Sequence, residues 1–253
     1  MKIGLVQYAP IWESKEKSIE VLDNLLNSVD KDTSVLVFPE MTLTGFTMES
    51  KKNSEEIDGI GFQYFMNLAN KLKVDIFAGI IKKENHNYFN SLIHYDNKGL
   101  IKAVYNKIHP FSFAKEDEFY SAGKEVVLTK LNNYKIGLTI CYDLRFPELY
   151  RLYAKENVDL IINIANWPTK RVEHWKHLLK ARAIENQCFI IGVNRVGKDA
   201  SNEYNGFSGI FDPMGNELTL VENESKIIQE EINLDDTKTT RERFHFLDDM
   251  KLI

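Results

Sequence analysis

The stretch Lys135-Ile-Gly-Leu-Thr-Ile-Cys-Tyr-Asp-Leu-Arg-Phe-Pro-Glu-Leu-Tyr150 runs an apolar strand into a cysteine and then opens a helix. A strand passing directly into a helix is the unit of a layered α/β fold. It also sets Cys141 at a strand-to-helix elbow, the carboxyl end of a sheet strand, where a nucleophile belongs. A thiol near the positive end of a helix dipole is pulled toward its thiolate. The competing reading is a small buried hydrophobe, which is how Cys188 reads inside Cys188-Phe-Ile-Ile-Gly192.

Outward from that elbow the pattern recurs. Val158-Asp-Leu-Ile-Ile-Asn-Ile164, Ser34-Val-Leu-Val-Phe38 and Val74-Asp-Ile-Phe-Ala-Gly-Ile80 are short apolar runs that each follow a helical segment. Continuous apolarity, in place of alternation, marks strands covered on both faces. Strands are expected over 2–7, 35–38, 75–81, 88–95, 100–105, 135–141, 160–164, 189–194, 206–211 and 226–232, and helices over 14–28, 61–72, 146–155 and 172–186. Asp96-Asn-Lys-Gly99, Asn132-Asn133 and Asp212-Pro-Met-Gly-Asn216 read as turns between adjacent strands. No linker, low-complexity tract or fixed repeat interrupts the chain, so one domain over residues 1–253 is the simplest partition.

A chain of 253 residues with 43% hydrophobic and 27% charged residues has the make-up of a soluble globular protein. The net charge of -5 argues against nucleic acid as a partner, since phosphate binding needs clustered Lys and Arg. Two cysteines without CxxC or Cys/His spacing argue against a disulfide framework and against a metal site. No apolar run reaches the length of a membrane span, and the first residues have a strand pattern in place of a signal peptide, so a cytoplasmic protein is expected.

Two further segments turn Cys141 from a core residue into a candidate nucleophile. In Val35-Leu-Val-Phe-Pro-Glu40-Met-Thr-Leu-Thr-Gly-Phe46 an apolar run ends on a carboxylate. A carboxyl set against apolar walls suits a general base that must hold and return a proton near neutrality. In Tyr105-Asn-Lys107-Ile-His-Pro110 a lysine closes a strand, where a fixed ammonium can hold a developing oxyanion and favour a nearby thiolate. His109 beside it reads as a positioning residue.

Glu40, Lys107 and Cys141, in this order and each at a strand end, resemble the catalytic triad of the nitrilase superfamily of carbon-nitrogen hydrolases. The likeness runs from Lys2-Ile-Gly-Leu-Val-Gln-Tyr8 to Arg241-Glu-Arg-Phe-His245 without a large unmatched insert, and Cys141-Tyr-Asp143 resembles the amidase branches. Ala165-Asn-Trp-Pro168, His174-Trp175, Ala181-Arg-Ala-Ile-Glu-Asn-Gln187 and Gly192-Val-Asn-Arg-Val-Gly197 look like the omega-amidase group, which hydrolyses the terminal amide of short 2-oxo acids such as 2-oxoglutaramate and 2-oxosuccinamate. The resemblance implies a four-layer α-β-β-α sandwich, a homodimer or higher even oligomer, a small-molecule amide substrate and no metal or organic cofactor. It also implies a second catalytic glutamate, assigned to Glu116 with Glu118 as the alternative in Phe113-Ala-Lys-Glu-Asp-Glu-Phe-Tyr-Ser-Ala-Gly123.

If the substrate carries a distal carboxylate, its partner should be an arginine, and Arg145 and Arg171 are the candidates, an ion pair of Arg145 with Glu148 being the structural alternative for the first. Tyr142 supplies a backbone N–H to the oxyanion, and Trp167, Phe111 and Met48 are expected to wall the apolar part of the pocket. The segment 111–120 shows neither helix nor strand pattern and reads as a loop over the site. Two other readings stay open: an amidase for deaminated glutathione or another small amide, and a binding or regulatory protein that keeps the fold without turnover.

Overall fold

The computed structural model describes residues 1–252. In chain order the strands are β1 (Lys2–Gln7), β2 (Val35–Val37), β3 (Asp75–Glu84), β4 (Asn87–Tyr95), β5 (Ile101–Asn106), β6 (Leu128–Leu131), β7 (Tyr134–Ile140), β8 (Leu160–Ala165), β9 (Phe189–Asn194), β10 (Val196–Lys198), β11 (Glu203–Phe211), β12 (Glu217–Glu222) and β13 (Lys226–Glu231). The helices are α1 (Lys15–Leu26), α2 (Ser50–Asn53), α3 (Ile60–Leu72), α4 (Glu116–Phe119), α5 (Pro147–Lys155), α6 (Val172–Asn186) and α7 (Asp235–Arg243).

These strands form two sheets, one ordered β13-β1-β2-β3-β4-β5 and the other β10-β11-β9-β8-β7-β6 with β12 paired to β11. Each has a parallel centre, β1-β2-β3 and β7-β8-β9, flanked by antiparallel strands. The apolar runs alternate between two cores, which is why they look continuous in sequence. Ile3, Leu5, Val35 and Val37 share an inter-sheet core with Leu160, Ile162, Ile164 and Ile191. Val6, Leu36 and Phe38 face outward onto Leu22 of α1 and Phe62 and Phe65 of α3. Ile161 and Ile190 face outward onto Tyr150 of α5 and Trp175 and Leu179 of α6. The result is the expected α-β-β-α layering, with each buried aliphatic side chain contributing roughly 1.5–3 kcal/mol. Among the described residues no helix is long and apolar enough to cross a membrane.

Elements that escaped the sequence reading lack periodicity. β6 and β10 are four and three residues long. Edge strand β12 has no fully buried position. Helix α7, Asp-Asp-Thr-Lys-Thr-Thr-Arg-Glu-Arg, has no apolar stripe and is docked by polar bonds instead: Arg241 Nη2 donates to the Val158 and Asn186 carbonyls at 2.8 and 3.2 Å. The segment 111–120 is not structureless, for it holds a 3-10 turn, Ser112–Ala114, followed by α4. Cys141 opens a 3-10 turn, Cys141–Arg145, and the α-helix begins only at Pro147, a favoured first-turn residue.

The topology gathers four chain exits at the carboxyl ends of strands. Glu40 lies beyond β2, Lys107 beyond β5, Cys141 beyond β7 and Asn166 beyond β8. The Glu40 exit is pressed onto β3. Thr42 N–H donates to the Gly79 carbonyl at 2.9 Å, Gly79 N–H returns a bond to Thr42 Oγ1 at 3.0 Å, and Thr42 Oγ1 donates to the Pro39 carbonyl at 2.6 Å. A Cβ at Gly79 would lie 2.5 Å from Met41 N and 2.8 Å from Glu40 Cα, both backbone atoms. Gly79→Ala should therefore cost about 1–3 kcal/mol of stability in chemical denaturation, because backbone packed against backbone cannot yield to the added methyl group; an unchanged midpoint would contradict the close approach described.

Candidate active site

Glu40, Lys107 and Glu116 are 1%, 2% and 0% exposed and form one ionic cluster. Lys107 Nζ donates to Glu40 Oε1 at 2.9 Å and to Glu116 Oε2 and Oε1 at 2.8 and 3.2 Å. Glu118, the alternative, is solvent-facing and pairs with Lys115 at 3.6 Å. Phe111 N–H donates to Glu116 Oε2 at 2.6 Å, so the segment that supplies Phe111 to the cavity is tied to the cluster. Two residues that the sequence reading passed over complete it. Asn90 of β4 donates to Glu40 Oε1 at 2.7 Å and Glu116 Oε1 at 2.8 Å. Asn166 donates its N–H to Glu40 Oε2 at 2.8 Å and its side-chain amide to the Glu40 carbonyl at 2.7 Å.

The cysteine elbow is held separately, by Asp143. Its buried carboxylate accepts from Ile140 N–H (2.8 Å), the Tyr105 hydroxyl (2.8 Å) and His109 N–H (3.1 Å), and bonds His109 Nδ1 at 2.7 Å. His109 also stacks on Phe146 at 3.8 Å. Asp143 thus bolts the elbow to the segment that carries Lys107, through the backbone and the ring of His109. Cys141 itself has φ of 45°, a left-handed conformation that a non-glycine residue keeps only when its surroundings enforce it.

Electrostatics overturn one expectation. Burial and the Glu40 carboxylate push the Cys141 thiol well above its ordinary pKa, against an opposing pull from the Lys107 ammonium. No α-helix starts at the elbow to draw it down, since α5 begins six residues later. Burial works against the Lys107 ammonium too, yet Glu116 and Glu40 outweigh it and keep the lysine charged. Glu116 is raised, chiefly by burial and by Glu40, with Lys107 and Asn90 opposing. Burial and the adjacent carboxylate therefore favour the thiol form of Cys141 over the thiolate.

Above Cys141 opens a cavity of about 150 Å³, the size class that accepts a benzene-sized guest. Lys107, Cys141 and Asn166 form its floor, and Tyr142, Arg145, Trp167, Arg171 and Phe111 its wall, all expected there except Asn166. Met48 is the exception among the expected wall residues. It packs with Met41, Ile81 and Tyr120 because the Tyr120 hydroxyl holds the Thr47 carbonyl at 2.6 Å, and Phe46 takes the wall position. Tyr204 and Asn202, which no sequence signal marked, close the far side.

Arg145 lies 4.7 Å over the Trp167 ring and 3.3 Å from His174 Nδ1, and Arg171 lies 5.4 Å over Phe111. Among the described residues neither guanidinium has a carboxylate partner, Glu148 included. Burial, together with the charge of Arg171, lowers the Arg145 pKa, the mark of two cations facing one space. The described residues include no group of three or more His, Cys, Asp or Glu side chains arranged to hold a metal.

Removing the Glu40 charge should lower the thiol pKa. The pH midpoint of Cys141 alkylation by iodoacetamide is therefore expected to lie lower in Glu40→Gln than in the wild type, read by peptide mass. An unchanged or higher midpoint would contradict the electrostatics described. Cys188, buried and pushed up to about 12, should stay unmodified and serves as the internal control.

The whole chain has relatives. A family model described as carbon-nitrogen hydrolase matches residues 2–242. A 2-oxoglutaramate amidase of Bacillus subtilis (strain 168) is 33% identical over 251 residues, covering 98% of this chain and 97% of that protein. Omega-amidase YafV of Yersinia enterocolitica is 33% identical over 250 residues, covering 96% and 94%. A CN-hydrolase superfamily protein of Xanthomonas campestris, solved with an arsenic adduct in its active site, superposes with a TM-score of 0.93 at 29% identity, covering 100% of this chain and 98% of that one. By its sequence along almost its entire length and by its two-sheet fold, the chain belongs to the carbon-nitrogen hydrolase family.

Proposed function

We propose that the protein hydrolyses the terminal amide of small 2-oxo dicarboxylic acid monoamides, such as 2-oxoglutaramate and 2-oxosuccinamate, to the acid and ammonia through a thioester on Cys141. The observation that carries this reading is the pair of guanidinium groups, Arg145 and Arg171, that lack acid partners in the wall of a small cavity floored by Cys141 and Lys107. Two such cations suit a distal carboxylate, which arginine binds in bidentate fashion. The names of the Bacillus subtilis and Yersinia enterocolitica relatives agree with it.

The steps follow from the charges. Glu40 takes the proton of the Cys141 thiol, and the sulfur attacks the amide carbon. Lys107 Nζ and the Tyr142 N–H hold the oxyanion, with Glu116 keeping Lys107 aimed. Collapse breaks the carbon–nitrogen bond as Glu40 returns its proton to the departing nitrogen, releasing ammonia and leaving the thioester. Glu40 then deprotonates a water that attacks the thioester carbon. The acid leaves, and the proton returns to Cys141. A thiol that rests protonated needs such an adjacent base, so the raised pKa of Cys141 supports Glu40 in that role.

An amidase for deaminated glutathione uses the same centre. A cavity of about 150 Å³ favours the shorter acids over a peptide-like amide. Side-by-side kinetics on the two amides separate these readings.

Ammonia release from 2-oxoglutaramate is the direct test, with glutamine and a simple nitrile as comparison substrates. Cys141→Ala should lower turnover at least about 10³-fold. A wild-type protein no better than that variant would leave a binding protein as the reading. Arg145→Ala and Arg171→Ala should each raise KM for the oxo-acid amide by about 10- to 100-fold, the loss of one charge-assisted contact, and leave a neutral aliphatic amide nearly unaffected. Equal losses on both substrates would place the carboxylate elsewhere.

A further inference from the structure

Asn90 sits in β4, buried at 1% exposure, and has no place in the mechanism above. Its backbone carbonyl accepts the Lys107 N–H at 2.9 Å. Its side-chain Nδ2 donates to Glu40 Oε1 and Glu116 Oε1 at 2.7 and 2.8 Å, the oxygens that Lys107 Nζ also reaches at 2.9 and 3.2 Å. Two nitrogens and two oxygens therefore close a ring of four hydrogen bonds. The remaining atom of the amide, Oδ1, is buried without a hydrogen-bond partner. A buried acceptor left unpaired is unfavourable, and native structures keep few of them. The reversed amide would turn that oxygen against two carboxylates, so the ring alone dictates the orientation.

The ring also divides the labour of Glu40. Its Oε1 is enclosed by Asn90 and Lys107, whereas Oε2 points to the β8 exit, where it accepts the Asn166 N–H at 2.8 Å and the Asn166 side-chain amide at 3.3 Å. We propose that Asn90 is a positioning residue that pins Oε1 of Glu40 against Glu116 and Lys107, leaving Oε2 as the one oxygen that exchanges protons with Cys141 and with the departing ammonia. The proposal rests on Glu40 acting as the base.

Asn90 presents only donors to the carboxylates and so favours their ionised forms, as Lys107 does. The titratable groups around it are Glu40 beyond β2, Lys107 beyond β5, Glu116 of α4, Tyr120 just after α4 and Cys141 beyond β7. With Asn90 removed, the carboxylates hold their protons to higher pH. A base that must be ionised is then lost earlier as the pH falls, so the acid limb of kcat/KM moves upward.

The test is the pH profile of amide hydrolysis by Asn90→Leu, which matches the side chain in size but donates nothing. The acid limb should rise by roughly half to one pH unit, and kcat should fall about 10-fold or more with KM within about threefold, as for a residue that acts on the chemical step. A profile that superimposes on that of the wild type after scaling would overturn the proposal, since a purely structural role lowers the active fraction without moving the limb. Should Asn90→Leu fail to fold, Asn90→Asp answers the same question: a third carboxyl in the ring should move the limb at least as far upward, and an unmoved limb again overturns it. Glu40→Gln separates the two layers of the reading. Wild-type turnover in that variant would remove Glu40 as the base. An inactive Glu40→Gln beside an unmoved Asn90→Leu limb would remove only the role assigned to Asn90.

Discussion

Two carboxylates and one ammonium lie out of water at the place where β2, β5 and α4 meet, and the surrounding architecture depends on their staying together. Breaking a buried pair by removing one partner costs about 3–5 kcal/mol, more than any single aliphatic contact in the cores. Lys107 cannot be buried without Glu40 and Glu116, and these in turn need the donors of Asn90, Asn166 and Phe111. Those donors come from both sheets and from the segment that supplies Phe111 to the cavity. The cluster thus fixes how the carboxyl ends of the two sheets face each other, a matter the non-directional apolar core between them leaves loose.

The same cluster explains the state of the nucleophile. Burial and the neighbouring carboxylates push the Cys141 thiol up, and the Lys107 ammonium pulls against them without prevailing. In the mechanism we propose, reactivity then comes from proton transfer to Glu40 when a substrate carbonyl is in place, and not from a standing thiolate. Asp143 supplies the geometry for that transfer, since its bonds to Ile140, Tyr105 and His109 join the cysteine elbow to the lysine segment and hold the left-handed backbone at Cys141.

Glu40, Lys107 and Cys141 could be found in the sequence because each ends an apolar run, and the carboxyl ends of buried strands collect on one edge of a layered sheet. Glu116 could not be told from Glu118 by pattern. The distinction arises at Lys115, whose positive φ of 61° ends one turn and starts α4, turning Glu116 inward and Glu118 out. Asn90 and Asn166 carry no spacing signal at all, because an amide in a strand or a loop looks alike whether it serves a carboxylate or solvent. At the elbow the helix was expected from residue 146 and begins at Pro147, a favoured first-turn residue, but the 3-10 turn Cys141–Arg145 comes between it and the thiol, which therefore gains no pull from a helix end. Helix α7 was invisible for the opposite reason, as it is docked through the Arg241 guanidinium and not through an apolar face.

A thioester on Cys141 is the claim on which the account turns, and rapid acid quench of the protein during turnover of 2-oxoglutaramate, followed by intact and peptide mass measurement, tests it most directly. The account predicts a transient adduct with the mass of the acyl group less ammonia, confined to the peptide that contains Cys141 and absent from Cys141→Ser under the same quench. Ammonia release at the wild-type rate with no adduct at Cys141 at any quench time, or with the adduct on another residue, would contradict it.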